Sequence, residues 1–431
     1  MPLLCSRAQN RSNLIKYVSV INVYKWSHMQ TVTDYFVKAA AAGGFIRKMF
    51  EKGLELKSIY GEDAVCDFSL GNPDVPPPKK AREVLHQIAD DAVRPLGLGY
   101  CPNAGVPFVR EKIAGYLSRQ QGMEIGAKDV VMTVGAAGAL VDFFRATMEP
   151  GDEVVVPSPY FVEYGNYCGH FGGVLKPVET NEDFSLDIAA IADAVNDRTR
   201  AILVNSPNNP SGAIYSRAQM EELAALVEKV NAEREGKSGA RALFLLSDEP
   251  YRAFAYDGAE VPPLLPLTKY AIVLGSFSKT LSMAGERIGY IALNPEISAA
   301  DGGTLITTLI LVNRTLGYVN APIIGQKLAA AICDETVDLQ VYASRRNAMA
   351  KVLTDAGIEF TMPKGAFYFF PKAPGGDDAK FVDALLEEKI LAVPGRGFGR
   401  AGYIRLSCSV DEKIIARSAE GFKRAAEACR R

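Results

Sequence analysis

Lys279 lies in a stretch whose residue types suit covalent chemistry: Leu274-Gly275-Ser276-Phe277-Ser278-Lys279-Thr280, with Arg287 eight residues further on. The apolar run from Tyr270 to Leu274 reads as a buried strand that delivers two serines and an amine into a polar loop. A second apolar run, Ile288 to Leu293, follows Arg287. Hydroxyls and a guanidinium can grip a phosphate, and an amine beside them can condense with an aldehyde. Other polar residues also stand at the ends of apolar runs. Ala242 to Leu246 leads into Ser247-Asp248, where a carboxylate is costly unless it is paired. Asp248 would also suit a helix N-cap. Thr199 to Val204 leads into Asn205-Ser206-Pro207-Asn208-Asn209-Pro210-Ser211-Gly212, a dense set of turn formers. Arg405 stands within the otherwise apolar run Tyr403 to Ser407, an unusual place for a guanidinium.

Positioning these residues calls for a sheet. From Asp129 the pattern alternates strand and helix. Val130 to Val134 reads as a strand, Gly135 to Gly138 as a turn, and Ala139 to Met148 as a helix. Asp152 to Val156 is the next strand, followed by Pro157-Ser158-Pro159-Tyr160-Phe161. Such alternation implies a mostly parallel sheet between helices. Ala136, Phe161, Asn209, Asp248 and Lys279 each follow a strand, and ligands of open α/β sheets gather at the carboxyl ends of strands.

Helical periodicity covers 31–58, broken at Gly43-Gly44, and again 79–93, 106–117 and 217–229. Beyond residue 300 the texture changes. Ile324 to Ala356 gives long helical patterns, Gly365 to Pro371 reads as a strand, Phe381 to Lys389 as a helix, and Asp411 to Ala428 as a closing helix. The expected organisation is an extension at 1–28, an arm and part of a small domain at 29–70, a large domain at 71–320 and a small α+β domain at 321–431. Residues 1–28 read as a leader extension, or as a start placed ahead of a true one at Met29.

Composition removes several classes. The net charge of -2 gives no pull toward nucleic acid or anionic membrane. No run approaches the ~20 apolar residues of a membrane span. The seven cysteines (Cys5, Cys66, Cys101, Cys168, Cys333, Cys408, Cys429) are scattered and odd in number, which argues against a disulfide framework and for a reducing, cytoplasmic setting. His28, His86 and His170 are the three histidines, and none has metal or triad spacing. No metal is expected.

Taken together, Ser-x-Ser-Lys with Gly-x-Arg-x-Gly-Tyr, Asn-Asn-Pro-Ser-Gly, and Pro-Gly-x-x-Phe-Gly before Tyr-Ile-Arg-Leu-Ser resemble the class I/II aminotransferases, which are fold-type I pyridoxal-phosphate enzymes. The likeness runs from about residue 60 to the end. It implies an α/β large domain with a smaller α+β domain, an imine between pyridoxal 5'-phosphate and Lys279, and transfer of an amino group between an L-amino acid and a 2-oxo acid. It further implies roles residue by residue. Ala136, Ala137, Ser276, Ser278 and Arg287 hold the phosphate, Phe161 stacks on the ring, Asp248 pairs with the pyridine nitrogen, and Asn209 and Tyr251 donate to the phenolic oxygen. Arg405 binds the substrate α-carboxylate, and Gly71, with Asn72 beside it, contacts the substrate. Tyr100 reaches the cofactor phosphate of a neighbouring subunit in a homodimer. Packing alone would also account for Phe161 and Tyr100. A β-lyase of the same fold, or a regulatory protein that binds the cofactor without turnover, is the alternative. A side-chain carboxylate on the substrate would need a second cation, for which Arg314, Arg396 and Arg400 are candidates.

Overall fold

The computed structural model describes residues 31–37, 45–301 and 303–430. The expected extension at 1–28 and the break at Gly43-Gly44 lie outside these residues. The chain divides into two compact units, Met1–Lys48 and Met49–Arg431. In the first, residues 34–37 form a turn of helix. All that follows concerns the second.

In chain order it carries β1 (Cys66–Asp67), α1 (Lys80–Ala92), α2 (Pro107–Gln121), β2 (Val130–Thr133) and α3 (Gly135–Thr147). Next come β3 (Glu153–Ser158), α4 (Tyr164–Gly169), β4 (Val174–Glu179), β5 (Thr199–Asn205), α5 (Arg217–Arg234) and β6 (Phe244–Asp248). They are followed by β7 (Ala271–Ser276), β8 (Gly289–Leu293), α6 (Thr304–Thr315), α7 (Ile323–Ile332) and α8 (Leu339–Asp355). The chain closes with β9 (Tyr368–Phe369), α9 (Asp378–Glu387), β10 (Ile390–Leu391), β11 (Val393–Pro394), β12 (Ile404–Ser407) and α10 (Glu412–Arg430).

The large sheet has the order β2-β8-β7-β6-β5-β3-β4. Its pairings are parallel except those of β8, which runs against both neighbours. β2 therefore points the same way as β7. Successive strand residues face opposite sides, so a strand buried on both faces is apolar throughout. In β5, Ile202 and Val204 join the core beneath α1, α2, α5 and α7, while Ala201 and Leu203 join the core beneath α3, α4 and α6. β7 splits likewise, with Ala271 and Val273 on the first side and Ile272 and Leu274 on the second. Truncating a side chain such as Leu203 to alanine costs about 2–5 kcal/mol.

Local signals set the helix ends. Ser216 and Gln219 form a capping box at the start of α5: Gln219 N donates to Ser216 Oγ at 3.2 Å, and Ser216 N donates to Gln219 Oε1 at 3.1 Å. Gly122, at φ 65°, ends α2 in the left-handed conformation that suits glycine.

A second core lies under the three-stranded antiparallel sheet β11-β12-β9, packed by α8, α9 and α10. Cys66 and Phe68 join it, next to the parallel pair β1–β10. The molecule is thus a large α/β domain with a smaller α+β domain, the architecture expected from the alternation.

Some elements differ from expectation. The helical patterns over 324–356 resolve into two helices, α7 and α8. Val337 N donates to Thr280 O at 2.9 Å, and Asp338 caps α8 by accepting from Gln340 N. The segment 334–338 is therefore drawn away from a helix path by a tertiary bond. The strand over 365–371 shrinks to Tyr368–Phe369. β4 went unread because, as a partly exposed edge strand containing Lys176 and Pro177, it lacks an apolar run.

Candidate active site

The carboxyl ends of β3, β5, β6 and β7, with the turn from β2 into α3, share one edge of the large sheet. Asp248 is the last residue of β6 and Ser276 the last of β7. Asn209 lies four residues past the end of β5, and Lys279 three past the end of β7.

Lys279 Nζ donates to Gly71 O at 2.7 Å and lies 6.0 Å from the centroid of the Phe367 ring. Burial, with the charges of Arg405 and Arg287, lowers its pKa to about 8. A buried ammonium loses hydration, and two nearby cations oppose its charge further.

Asp248 is buried, and its Oδ2 accepts from Tyr164 Oη at 2.6 Å. Its Oδ1 has no partner. Burial raises this carboxyl to about 7, against the hydrogen bond from Tyr164, which lowers it, and with Glu249, whose charge raises it. Asn205 Nδ2 braces the Asp248 carbonyl at 2.8 Å, and Asn205 Oδ1 takes the Asn209 amide at 2.7 Å. Asp248 caps no helix here.

Arg405, in β12, is 2% exposed. Its Nη2 donates to Ser69 O at 2.6 Å and its Nη1 to Asn209 Oδ1 at 3.2 Å, while Nε has no partner. The guanidinium lies between the rings of Tyr368 and Phe398, at 4.9 and 4.8 Å from their centroids. Burial pushes its pKa down. Tyr251 Oη meets Tyr368 Oη at 2.8 Å. Burial, then the Tyr368 phenol, push Tyr251 well above its ordinary value. Phe161 is half-buried and meets Tyr164 edge-on at 5.5 Å.

At the other end, α3 begins with Gly135 at φ 71°. A Cβ there would press against Arg287 Nη2 at 2.9 Å, and one on Gly289 would meet the Ala136 amide nitrogen at 2.8 Å. Arg287 thus sits beside the free amides of the first turn of α3, which carries Ala136 and Ala137. Helix start and guanidinium together make a site for a phosphate dianion. Ser276, the last residue of β7, and Ser278, on the loop that follows, are both buried.

The structure brings Gly71, Asn209, Asp248, Tyr251, Lys279 and Arg405 into one connected group. Asn72 is held through its carbonyl, a hydrogen bond taken from Ser409 Oγ. Tyr100 is not brought in: it is 89% exposed. Of the three candidate second cations, Arg396 is bound to Asp378 at 2.6 Å. Arg400 donates to Thr180 Oγ1 at 2.9 Å and lies against Phe184 and Tyr403. Arg314 is exposed at the end of α6. Sequence reasoning missed Tyr164 and Tyr368, whose aromatic rings read as core. The hydroxyl of Tyr368 amid Phe367, Phe369 and Phe370 was the available signal.

The donor set fits pyridoxal phosphate. The unpartnered Asp248 Oδ1 suits a pyridinium N–H, the α3 start with Arg287 suits its phosphate, and Lys279 suits its aldehyde. The model for the family "Aminotransferase class I and II" matches residues 63–422. The chain belongs to the class I and II aminotransferase family. It is 31% identical over 382 residues to an aspartate/prephenate aminotransferase of Thermus thermophilus, covering 86% of this chain and 93% of that protein. It is 33% identical to an aspartate aminotransferase of Thermotoga maritima, covering 84% and 92%. Among solved structures, an amino transferase of Eubacterium rectale superposes with a TM-score of 0.87 at 34% identity, covering 94% of this chain and 100% of that one. This aminotransferase is an enzyme that uses pyridoxal phosphate to move amino groups through Schiff-base chemistry.

Proposed function

We propose that this aminotransferase converts an L-amino acid to its 2-oxo acid with Lys279 as both cofactor anchor and proton carrier. The observation that carries this reading is the Lys279 amine, held by Gly71 O at 2.7 Å in one connected group with Arg405, Asn209 and Tyr251. Ala136, Ala137, Ser276, Ser278 and Arg287 take the phosphate. Asp248 Oδ1 takes the pyridine N–H, and Tyr164 keeps the other oxygen occupied. Phe161 covers one face of the ring. Asn209 and Tyr251 donate to the phenolic oxygen. The bound cofactor supplies an electron sink that makes the substrate Cα proton acidic.

Arg405 holds the α-carboxylate of the substrate, with Asn209 and Ser69 fixing the guanidinium. Gly71 lets the backbone approach the substrate. Lys279 Nζ, held at 2.7 Å from Gly71 O, would take the Cα proton of the substrate and carry it for return. Its pKa near 8 keeps a useful fraction of the amine neutral around neutral pH.

The protein acts as a homodimer on this reading. Tyr100 and its sequence neighbours Val93, Leu96, Leu98 and Phe108 are all exposed, apolar surface that a second copy would cover. Tyr100 then serves the partner's phosphate. Six cysteines of the described residues are free thiols, which supports a reducing, cytoplasmic location. No helix among the described residues is long and apolar enough to cross a membrane. The reading keeps a large and a small lobe but puts the seam between them at 334–338 rather than at 320/321; the packing of Leu328, Ala329 and Ile332 of α7 into the core of the large sheet supports this.

The test is spectroscopic. Lys279→Ala should lose the absorbance of lysine-bound cofactor and all turnover; normal turnover in that variant ends the reading. Adding single amino acids to the loaded wild-type enzyme, and watching that absorbance change to the amine form, identifies the substrate.

A further inference from the structure

Tyr251 and Tyr368 form a buried phenol pair. Their oxygens are 2.8 Å apart and their rings meet edge-on at 5.5 Å and 83°. Tyr368 has two further neighbours. Its ring lies 4.9 Å from the Arg405 guanidinium. Its phenol fills the space that a Cβ on Gly71 would need. Its backbone is fixed in the sheet: Tyr368 begins β9, in register with Ser407 of β12, two residues from Arg405. A single side chain thus touches Arg405, assigned to the substrate carboxylate, Gly71, whose backbone is assigned to the substrate, and Tyr251, assigned to the phenolic oxygen.

A phenol carries one proton and two acceptor lone pairs. In its assigned role Tyr251 directs that proton to the phenolic oxygen of the cofactor. Its contact with Tyr368 then has one remaining direction, with Tyr368 O–H donating and Tyr251 oxygen accepting. Accepting a hydrogen bond polarises a hydroxyl and strengthens its own donation by roughly 10–30%.

We propose that Tyr368 is a positioning residue of this aminotransferase: it donates to Tyr251, strengthens the hold of Tyr251 on the phenolic oxygen of the cofactor, and braces Arg405 with the same ring. The proposal rests on the roles given above to Lys279 and Tyr251.

The experiment is a pH titration of the absorbance of lysine-bound cofactor in the full-length, loaded protein. A hydrogen bond to the phenolic oxygen favours its ionised form, so the nitrogen beside it gives up its proton at lower pH. Tyr368→Phe keeps the ring and removes the donor. Its titration midpoint should rise by on the order of 0.3 pH unit. In a Tyr251→Phe background the same substitution should produce no further shift. A midpoint that stays in place, or an equal shift in both backgrounds, overturns the proposal. A wild-type protein without any lysine-dependent band overturns the reading of Lys279 and this inference with it. A purely structural role for Tyr368 would lower the thermal midpoint without moving the titration.

Discussion

The Lys279 amine donates to the Gly71 carbonyl at 2.7 Å, so the reactive nitrogen is held by a backbone segment 208 residues earlier in the chain. That segment is itself tied down at several points. Ser69 O accepts from Arg405, Asn72 O accepts from Ser409, and Asp74 takes a two-pronged hydrogen bond from Arg345 at 2.6 and 2.9 Å. Residues 69–74 therefore connect the large sheet's edge to the small domain across the site. A bidentate arginine–carboxylate pair fixes direction as well as distance.

The amine is expected to react with pyridoxal phosphate in a pH-dependent way. Only the neutral form condenses with an aldehyde, and its population grows as pH rises through a pKa of about 8. Cofactor-free protein mixed with pyridoxal phosphate between pH 6.5 and 9.5 should gain absorbance faster as pH rises, levelling off above 8. A rate still climbing tenfold per pH unit at 9.5 would mean that the lysine is not buried and opposed by Arg405 and Arg287 in solution.

Gly71→Ala should damage catalysis far more than stability. The added methyl collides with the Tyr368 phenol, whose oxygen is hydrogen-bonded to Tyr251 and whose ring packs on Arg405, so any shift of it disturbs both. Strain of about 1–3 kcal/mol is typical of such an intrusion. We expect kcat/KM to fall by at least tenfold, with a thermal midpoint lowered by only a few degrees. Wild-type kinetics in this variant would show that the 69–74 segment moves freely away from Tyr368.

The parts of this site legible in the sequence were those where polarity interrupts an apolar strand. Asp248 and Arg405 stood out because a buried polar group without a partner is costly, so its presence needs a reason; Asn209 stood out through the dense set of turn formers after the strand that ends at Asn205. Tyr368 and Tyr164 did not, because a buried aromatic already has a reason in packing. Their hydroxyls acquire meaning only when Tyr251 and Asp248 arrive from distant positions. The break between α7 and α8 was hidden for a similar cause: the bond from Val337 N to Thr280 O joins residues far apart in the chain. Tyr100 poses the opposite case. The family resemblance implied a role for it, yet within one chain it is 89% exposed and meets none of the residues of the site.

Arg405→Lys tests the carboxylate site. Lysine keeps the charge and loses the planar fork that engages Ser69 O, Asn209 Oδ1 and an incoming carboxylate together. Losing a charge-assisted hydrogen bond costs about 1.5–3 kcal/mol, so KM for the amino acid should rise on the order of 10- to 100-fold. The absorbance of the lysine-bound cofactor should remain. Steady-state kinetics against a range of amino acids decides the matter. A KM unchanged for all of them removes Arg405 from substrate binding.

Asp248→Asn should change how the cofactor-free protein responds to pH. The Asp248 carboxyl is an acid whose folded pKa is raised, from 3.8 to about 7. Between these values the folded state binds the proton that the unfolded state has released, so stability from this group falls as pH rises from about 4 to 7 and then levels off. The full penalty above pH 7 is on the order of 4 kcal/mol. Asparagine has no such titration. Denaturant melts of the cofactor-free variant should therefore show a gain over wild type that grows from pH 4 to pH 7 and holds at pH 8. Loaded with cofactor, the order should reverse. The pyridinium N–H would pair with the wild-type carboxylate, whereas the asparagine amide cannot supply that negative charge, so cofactor should dissociate faster from the variant. A cofactor-free variant that tracks wild type at every pH would place Asp248 in a wetter environment than its burial and its single Tyr164 hydrogen bond imply.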